Sequence, residues 1–131
     1  MTFRRAFSGA VWEARVGYCR AVRAGAHIYV TGTAPVAEGG GVHAPGDAYQ
    51  QARRCLQIIA AALRELDADI SQVVRTRLFV TDISRWEEIG RAHREAFADH
   101  PPATTMVEVK ALIDPQMLVE IEADAVCLEG D

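Results

Sequence analysis

The chain has 131 residues, half of them hydrophobic, with a formal net charge of −4. That length suits one domain, residues 1–131, with enough apolar material for a real core. Lys110 is the only lysine, and an acidic chain with scattered arginines lacks the basic stripe that phosphate neutralisation demands, which disfavours nucleic-acid binding.

No apolar run approaches the ~20 residues of a membrane span. The N-terminal arginines are followed by no long apolar stretch that would make a signal peptide. Three cysteines, Cys19, Cys55 and Cys127, stand at wide spacing and write neither a disulfide framework nor a metal site. The expected location is the cytoplasm, and no metal is called for.

In chain order, residues 3–7 read as a short strand. Residues 21–23 and 27–31 follow as a hairpin around the glycine turn Ala24-Gly25-Ala26. The glycine-rich stretch 36–47 reads as a mobile loop, since Gly39-Gly40-Gly41 does not run into a helix N-terminus as a phosphate cradle would. A helix is predicted over 48–66, N-capped by Asp47. Its apolar stripe is Ala48, Ala52, Cys55, Leu56, Ile59, Ala62, Leu63 and Leu66, and its polar side carries Gln51, Arg53, Arg54 and Arg64.

Residues 72–82 give the strongest strand. Alternation points Val74, Thr76, Leu78 and Val80 one way and Arg75, Arg77, Phe79 and Thr81 the other. Ser84-Arg85-Trp86-Glu87 fits a capping box opening a second helix, whose apolar stripe is Trp86, Ile89, His93 and Phe97. His93 reads there as a hydrogen-bonded core residue. Strands over 104–112 and 118–126, joined by the Asp114-Pro115 turn, close the chain.

The order β-β-β-α-β-α-β-β predicts an α+β fold, a single mixed sheet with two helices on one face. On the last strand Val119, Ile121, Ala123 and Ala125 face the core, and Glu120, Glu122 and Asp124 face away. Thr104, Met106, Glu108 and Lys110 are assigned to the same far side, with Phe79 and Tyr29. Such a face is too apolar for water and too charged for a core, which predicts a homo-oligomer.

Four blocks in order, GYCRAVRAGAHIYVTGT, VVRTRLFVTDISRWEEIGRAHREAF, PPATTMVEV and LVEIEADAV, resemble the RidA/YjgF family over about residues 8–126. The resemblance implies a fold like bacterial-type chorismate mutase, a trimer around a central β-barrel, and small-molecule clefts between subunits. It implies hydrolysis of reactive enamines and imines to a 2-oxo acid and ammonia, with no metal or organic cofactor. In the family an arginine in a P-A-R-S-x-V-E-V block grips the substrate carboxylate, as a guanidinium fork does well. A last-strand glutamate helps position the attacking water.

Here the block reads PATTMVEV, so Thr104 stands at the arginine position, with Thr105 beside it. Glu120 keeps the glutamate position and is the candidate catalytic residue. Tyr18, Thr31 and Gly32 match cleft-lining positions. Trp12 either roofs the pocket or anchors the N-terminal segment. Arg77 either supplies a relocated positive charge or pairs with Glu108, Glu120 or Glu122. The resemblance thus implies a divergent C=N hydrolase for a substrate without the usual carboxylate. The alternatives are a non-catalytic metabolite-binding trimer and, less favoured by charge and by the lack of an acid–base histidine pair, a ribonuclease. The expectation requires Thr104 and Glu120 on one side of the sheet.

Overall fold

The computed structural model describes residues 2–128. Strand β1 (Phe3–Ala6), helix α1 (Val11–Val16), strands β2 (Ala21–Ala24) and β3 (His27–Thr33) and helix α2 (Ala48–Glu65) come first. Strand β4 (Val73–Val80), helix α3 (Trp86–Phe97) and strands β5 (Ala103–Glu108) and β6 (Val119–Val126) complete the chain. The six strands form one sheet in the order β1-β2-β3-β6-β4-β5. Only β4 and β5 run parallel; the other neighbours are antiparallel. A parallel pair needs a crossover, and α3 supplies it.

The core lies between the sheet and α2 with α3. Ile28, Val30, Leu78, Val80, Val119, Ile121, Ala123 and Ala125 come up from the strands to meet Cys55, Ile59, Leu63, Ile89 and Phe97. Burying each of the larger side chains stabilises the fold by roughly 1.5–3 kcal/mol. The α2 stripe is the predicted one, and Asp47 caps it by accepting a hydrogen bond from the Gln50 N–H at 3.0 Å.

Several expectations are corrected. Gln51, assigned to the wet side of α2, is fully buried. Its amide donates to the carbonyls of Gln116 (2.9 Å) and Ala44 (3.3 Å) and accepts from the Leu118 N–H (2.8 Å), joining two loops to the helix. Val73, not Val74, faces the core, because a register irregularity between Val73 and Arg75 leaves Val74 as an extra, exposed residue.

The capping box at Ser84 does not form. Asp82 accepts from the Ser84 N–H (3.0 Å) and hydroxyl (2.6 Å) and opens a 3-10 turn, Ile83–Arg85, that leads into α3 without a side-chain cap. A reciprocal box closes instead on the turn before β4, between Asp69 and Gln72. Trp86 is exposed rather than part of the α3 stripe.

Strand β5 ends at Glu108, short of residue 112, where the Glu108 carboxylate turns aside to accept from the Ile83 N–H at 3.0 Å. The stretch 36–47 is tied down: Ala37 bonds Gly41 (2.9 Å), Arg54 Nε donates to the Val36 carbonyl (2.7 Å), and positive φ at Gly39, Gly40 and Gly41 lets the chain turn. Among the described residues, no helix is long and apolar enough to cross a membrane.

Candidate functional site

Strand register decides which candidates meet. Across β4 and β6, Phe79 pairs with Glu120 and Leu78 with Ile121. Leu78 and Ile121 are buried under the helices, so Glu120 projects from the open face. Across β4 and β5, Thr76 pairs with Thr104 and Leu78 with Met106. Thr76 is fully buried on the helix side, and Thr104 and Met106 share that side. Thr76 and Phe79 are three positions apart on one strand, an odd separation, and point opposite ways. Thr104 and Glu120 of one chain therefore lie on opposite sides of the sheet, which overturns the expectation that they share one. Thr105, paired with Arg77, is the hydroxyl on the open face.

Around Glu120 the open face is built from β3, β6 and the segment entering β2. Between Val30 and Thr33 the β3 register shifts against β6, and this irregularity presents Gly32 to the glutamate. A Cβ on Gly32 would sit 2.5 Å from Glu120 Oε2 and 3.3 Å from its Cδ, so only glycine leaves the carboxylate its place. Burial raises the Glu120 pKa above the ordinary carboxylate range; Arg20 opposes that shift and Glu122 adds to it. A half-buried carboxyl of raised pKa holds a proton more readily than an exposed one, which suits a group that takes and returns protons.

Arg20 is a residue the sequence reading missed. It is almost fully buried, and its Nη1 donates to the Gly32 carbonyl (3.2 Å) and Thr33 Oγ1 (3.3 Å). Its Nε lies 3.3 Å from Glu13 Oε2, in ionic contact but not aligned as a hydrogen bond. Glu13, on α1, also accepts from the Ser8 N–H and hydroxyl. The guanidinium stands 5.6 Å from the Tyr18 ring. Thr31 donates to the Cys19 carbonyl at 2.8 Å. Tyr18, Thr31, Gly32 and Glu120 are thus gathered around one buried ion pair. A helical signal in AVWEARVG, too short to stand out, was the only hint of α1. Trp12 lies on this helix, 36% exposed, with Arg15 over its ring.

Arg77 donates to Glu122 Oε1 (3.1 Å) and to Asp124 Oδ2 (3.3 Å). Of the two readings given it, the ion-pair one describes this arrangement, although its partners include Asp124 and exclude Glu108 and Glu120. At the β5 edge a second polar group forms on the helix side. Thr76 Oγ1 lies 2.8 Å from both His93 Nε2 and Thr104 Oγ1, and Thr104 Oγ1 lies 3.5 Å from the same nitrogen. Burial lowers the His93 pKa, which favours the neutral imidazole.

The family model described as Endoribonuclease L-PSP matches residues 9–127. The chain belongs to the YjgF/Rid family. A structure from Mycobacterium tuberculosis of a member of the YjgF/YER057c/UK114 family is 46% identical, with a TM-score of 0.87 over 95% of this chain and 99% of its own. An uncharacterized protein of Streptomyces coelicolor is 35% identical over 122 residues, 93% of this chain and 90% of that one. The structure of E. coli TdcF, solved with bound serine, is 25% identical with a TM-score of 0.81, covering 95% of this chain and 94% of its own. The Rid fold accounts for the single sheet with its helices on one face. Among the described residues there is no cluster of three or more His, Cys, Asp or Glu side chains able to hold a metal ion.

Proposed function

We propose that this Rid protein hydrolyses a small imine or enamine that lacks the usual carboxylate, in clefts between the copies of a homotrimer. The half-buried Glu120 carboxyl against Gly32 carries the reading. Glu120 holds a water and takes its proton as the oxygen attacks the C=N carbon. The C=N electron pair moves to nitrogen, which is protonated, and a carbinolamine forms. Its C–N bond then breaks, ammonia leaves with the hydroxyl proton, and a carbonyl remains. Tyr18, Thr31 and Trp12 shape this half of the cleft.

Thr104 faces away from Glu120 within a chain but stands on an edge strand. A neighbouring copy that sets its own Glu120 face against that edge would complete the cleft, with Thr104 as its neutral hydrogen-bonding group and Thr105 on the other side of the same strand. A hydroxyl offers no charged fork, and charge-assisted hydrogen bonds are about twice as strong as neutral ones, so a carboxylate substrate is disfavoured. That TdcF was crystallised with serine supports an amino-acid-sized ligand.

Decay of imines generated in solution tests the reading. The protein is expected to accelerate loss of a carboxylate-free imine over buffer, and Glu120→Gln to lose most of that acceleration. Thr104→Arg is expected to gain activity on 2-iminopropanoate. If no imine in a panel decays faster than in buffer, the enzyme reading fails. The non-catalytic metabolite-binding trimer then stands, a reading favoured by the hold of Glu122 and Asp124 on Arg77 Nη1, which keeps that guanidinium from serving freely as a replacement anchor. An acidic chain gives least support to a ribonuclease.

A further inference from the structure

Thr104, His93 and Thr76 form a continuous hydrogen-bonded chain from inside the α3–sheet layer to the exposed edge of β5. Its inner members are held by packing and hydrogen bonds. The His93 ring packs on Phe97 with centroids 4.6 Å apart, and Thr76 is fully buried with both His93 and Thr104 at 2.8 Å. Thr104 is the exposed end. A hydroxyl on a free strand edge would otherwise rotate at will.

The donor count leaves two arrangements for a neutral imidazole. If Nε2 carries no hydrogen, it accepts from Thr76, Thr76 accepts from Thr104, and Thr104 turns a lone pair outward. If Nε2 carries the hydrogen, each bond reverses. Thr104 then turns its O–H outward, where the Pro102 carbonyl at 3.4 Å is a weak competitor. The chain can present either an acceptor or a donor at one fixed point, and none of its three groups brings a formal charge.

We propose that His93, acting through Thr76, is a positioning residue that fixes the Thr104 hydroxyl and sets which way its hydrogen points, so that this edge takes a neutral group that both donates and accepts, a primary carboxamide, in place of a carboxylate. The inference rests on the proposed cleft and names the substrate class for its Thr104 half.

The test is nuclear magnetic resonance titration of the whole protein with propanamide and with propanoate, following the Thr104 amide and the His93 ring nitrogens. Propanamide is expected to bind at least about tenfold more tightly than propanoate and to shift the His93 nitrogens toward one tautomer. His93→Phe keeps the packing on Phe97 and removes the hydrogen bond, and Thr76→Val breaks the chain at its middle with little change of shape. Each is expected to weaken propanamide binding about tenfold with the backbone spectrum otherwise intact, and His93→Gln to restore most of it.

Propanoate binding as tightly as propanamide, or unchanged propanamide affinity in both His93→Phe and Thr76→Val, would overturn the proposal. Imine decay is read separately. Propanamide binding that depends on His93 without imine hydrolysis supports this inference and removes only the enzyme reading. Imine hydrolysis with no preference for the amide removes this inference alone.

Discussion

Gly32 leaves just enough room for the Glu120 carboxylate, and the consequences are local. An added methyl at Gly32 collides with the end of a flexible side chain, not with backbone. Gly32→Ala is therefore expected to change stability by no more than about 1 kcal/mol in urea denaturation. The carboxylate must swing away, however, and imine hydrolysis is expected to fall at least tenfold, close to the Glu120→Gln level.

The raised pKa of Glu120 also makes a stability prediction. Its folded value lies above its unfolded one, so the group's contribution is fully present below the ordinary glutamate pKa and is lost as pH rises through the folded value. Glu120→Gln removes the ionisation. The variant is expected to melt above the native chain at pH 7, and the gap to close as pH falls toward about 4. A gap that widens on acidification would contradict the assigned environment.

At the level of elements, Gln51 is the most consequential polar side chain in α2. Gln51→Leu fills much the same space but leaves the Leu118 N–H and two carbonyls without their partner. About 2–4 kcal/mol of stability is expected to be lost, read from urea denaturation with an unchanged m value. Periodicity gave both long helices, the strands and their order, because the apolar stripes of α2 and β6 are nearly complete.

What periodicity could not give was anything set by tertiary context. Gln51 lies on the boundary of the α2 stripe, and only the return of residues 116–118 makes its burial favourable. Asp82 and Ser84 both suit a cap, and the sequence does not say which turn each will close. The bulge at Val74 shifts the alternation by one residue within a strand that otherwise reads regularly. The side on which Thr104 lies follows from its parallel register with Thr76, a long-range fact with no local signature. Glu120, flanked by Val119 and Ile121, was legible as an outward residue, whereas nothing local marks Arg20 and Glu13 as a pair that buries both.

For the whole molecule, the open face is the unfinished part. Tyr29 is 49% exposed and Val107 42%, beside Phe79 and the Arg77–Glu122–Asp124 cluster. In the proposed trimer this surface lies between copies. Val107→Glu puts a charge into it and is expected to shift the mass seen by light scattering from three chains toward one, with imine hydrolysis lost in parallel. A native chain that scatters as a single copy at working concentration would remove the clefts altogether.

In the proposed trimer Glu120 of one copy works with Thr104 of the next, since within one chain the two lie on opposite sides of the sheet. The direct measurement is complementation. Glu120→Gln and Thr104→Val chains, each weakly active alone, are unfolded, mixed in equal amounts and refolded together. Random assembly places both native residues at about a quarter of the shared sites, so about a quarter of native imine hydrolysis is expected to return. Mixed trimers no more active than either variant alone would contradict a site built from two chains.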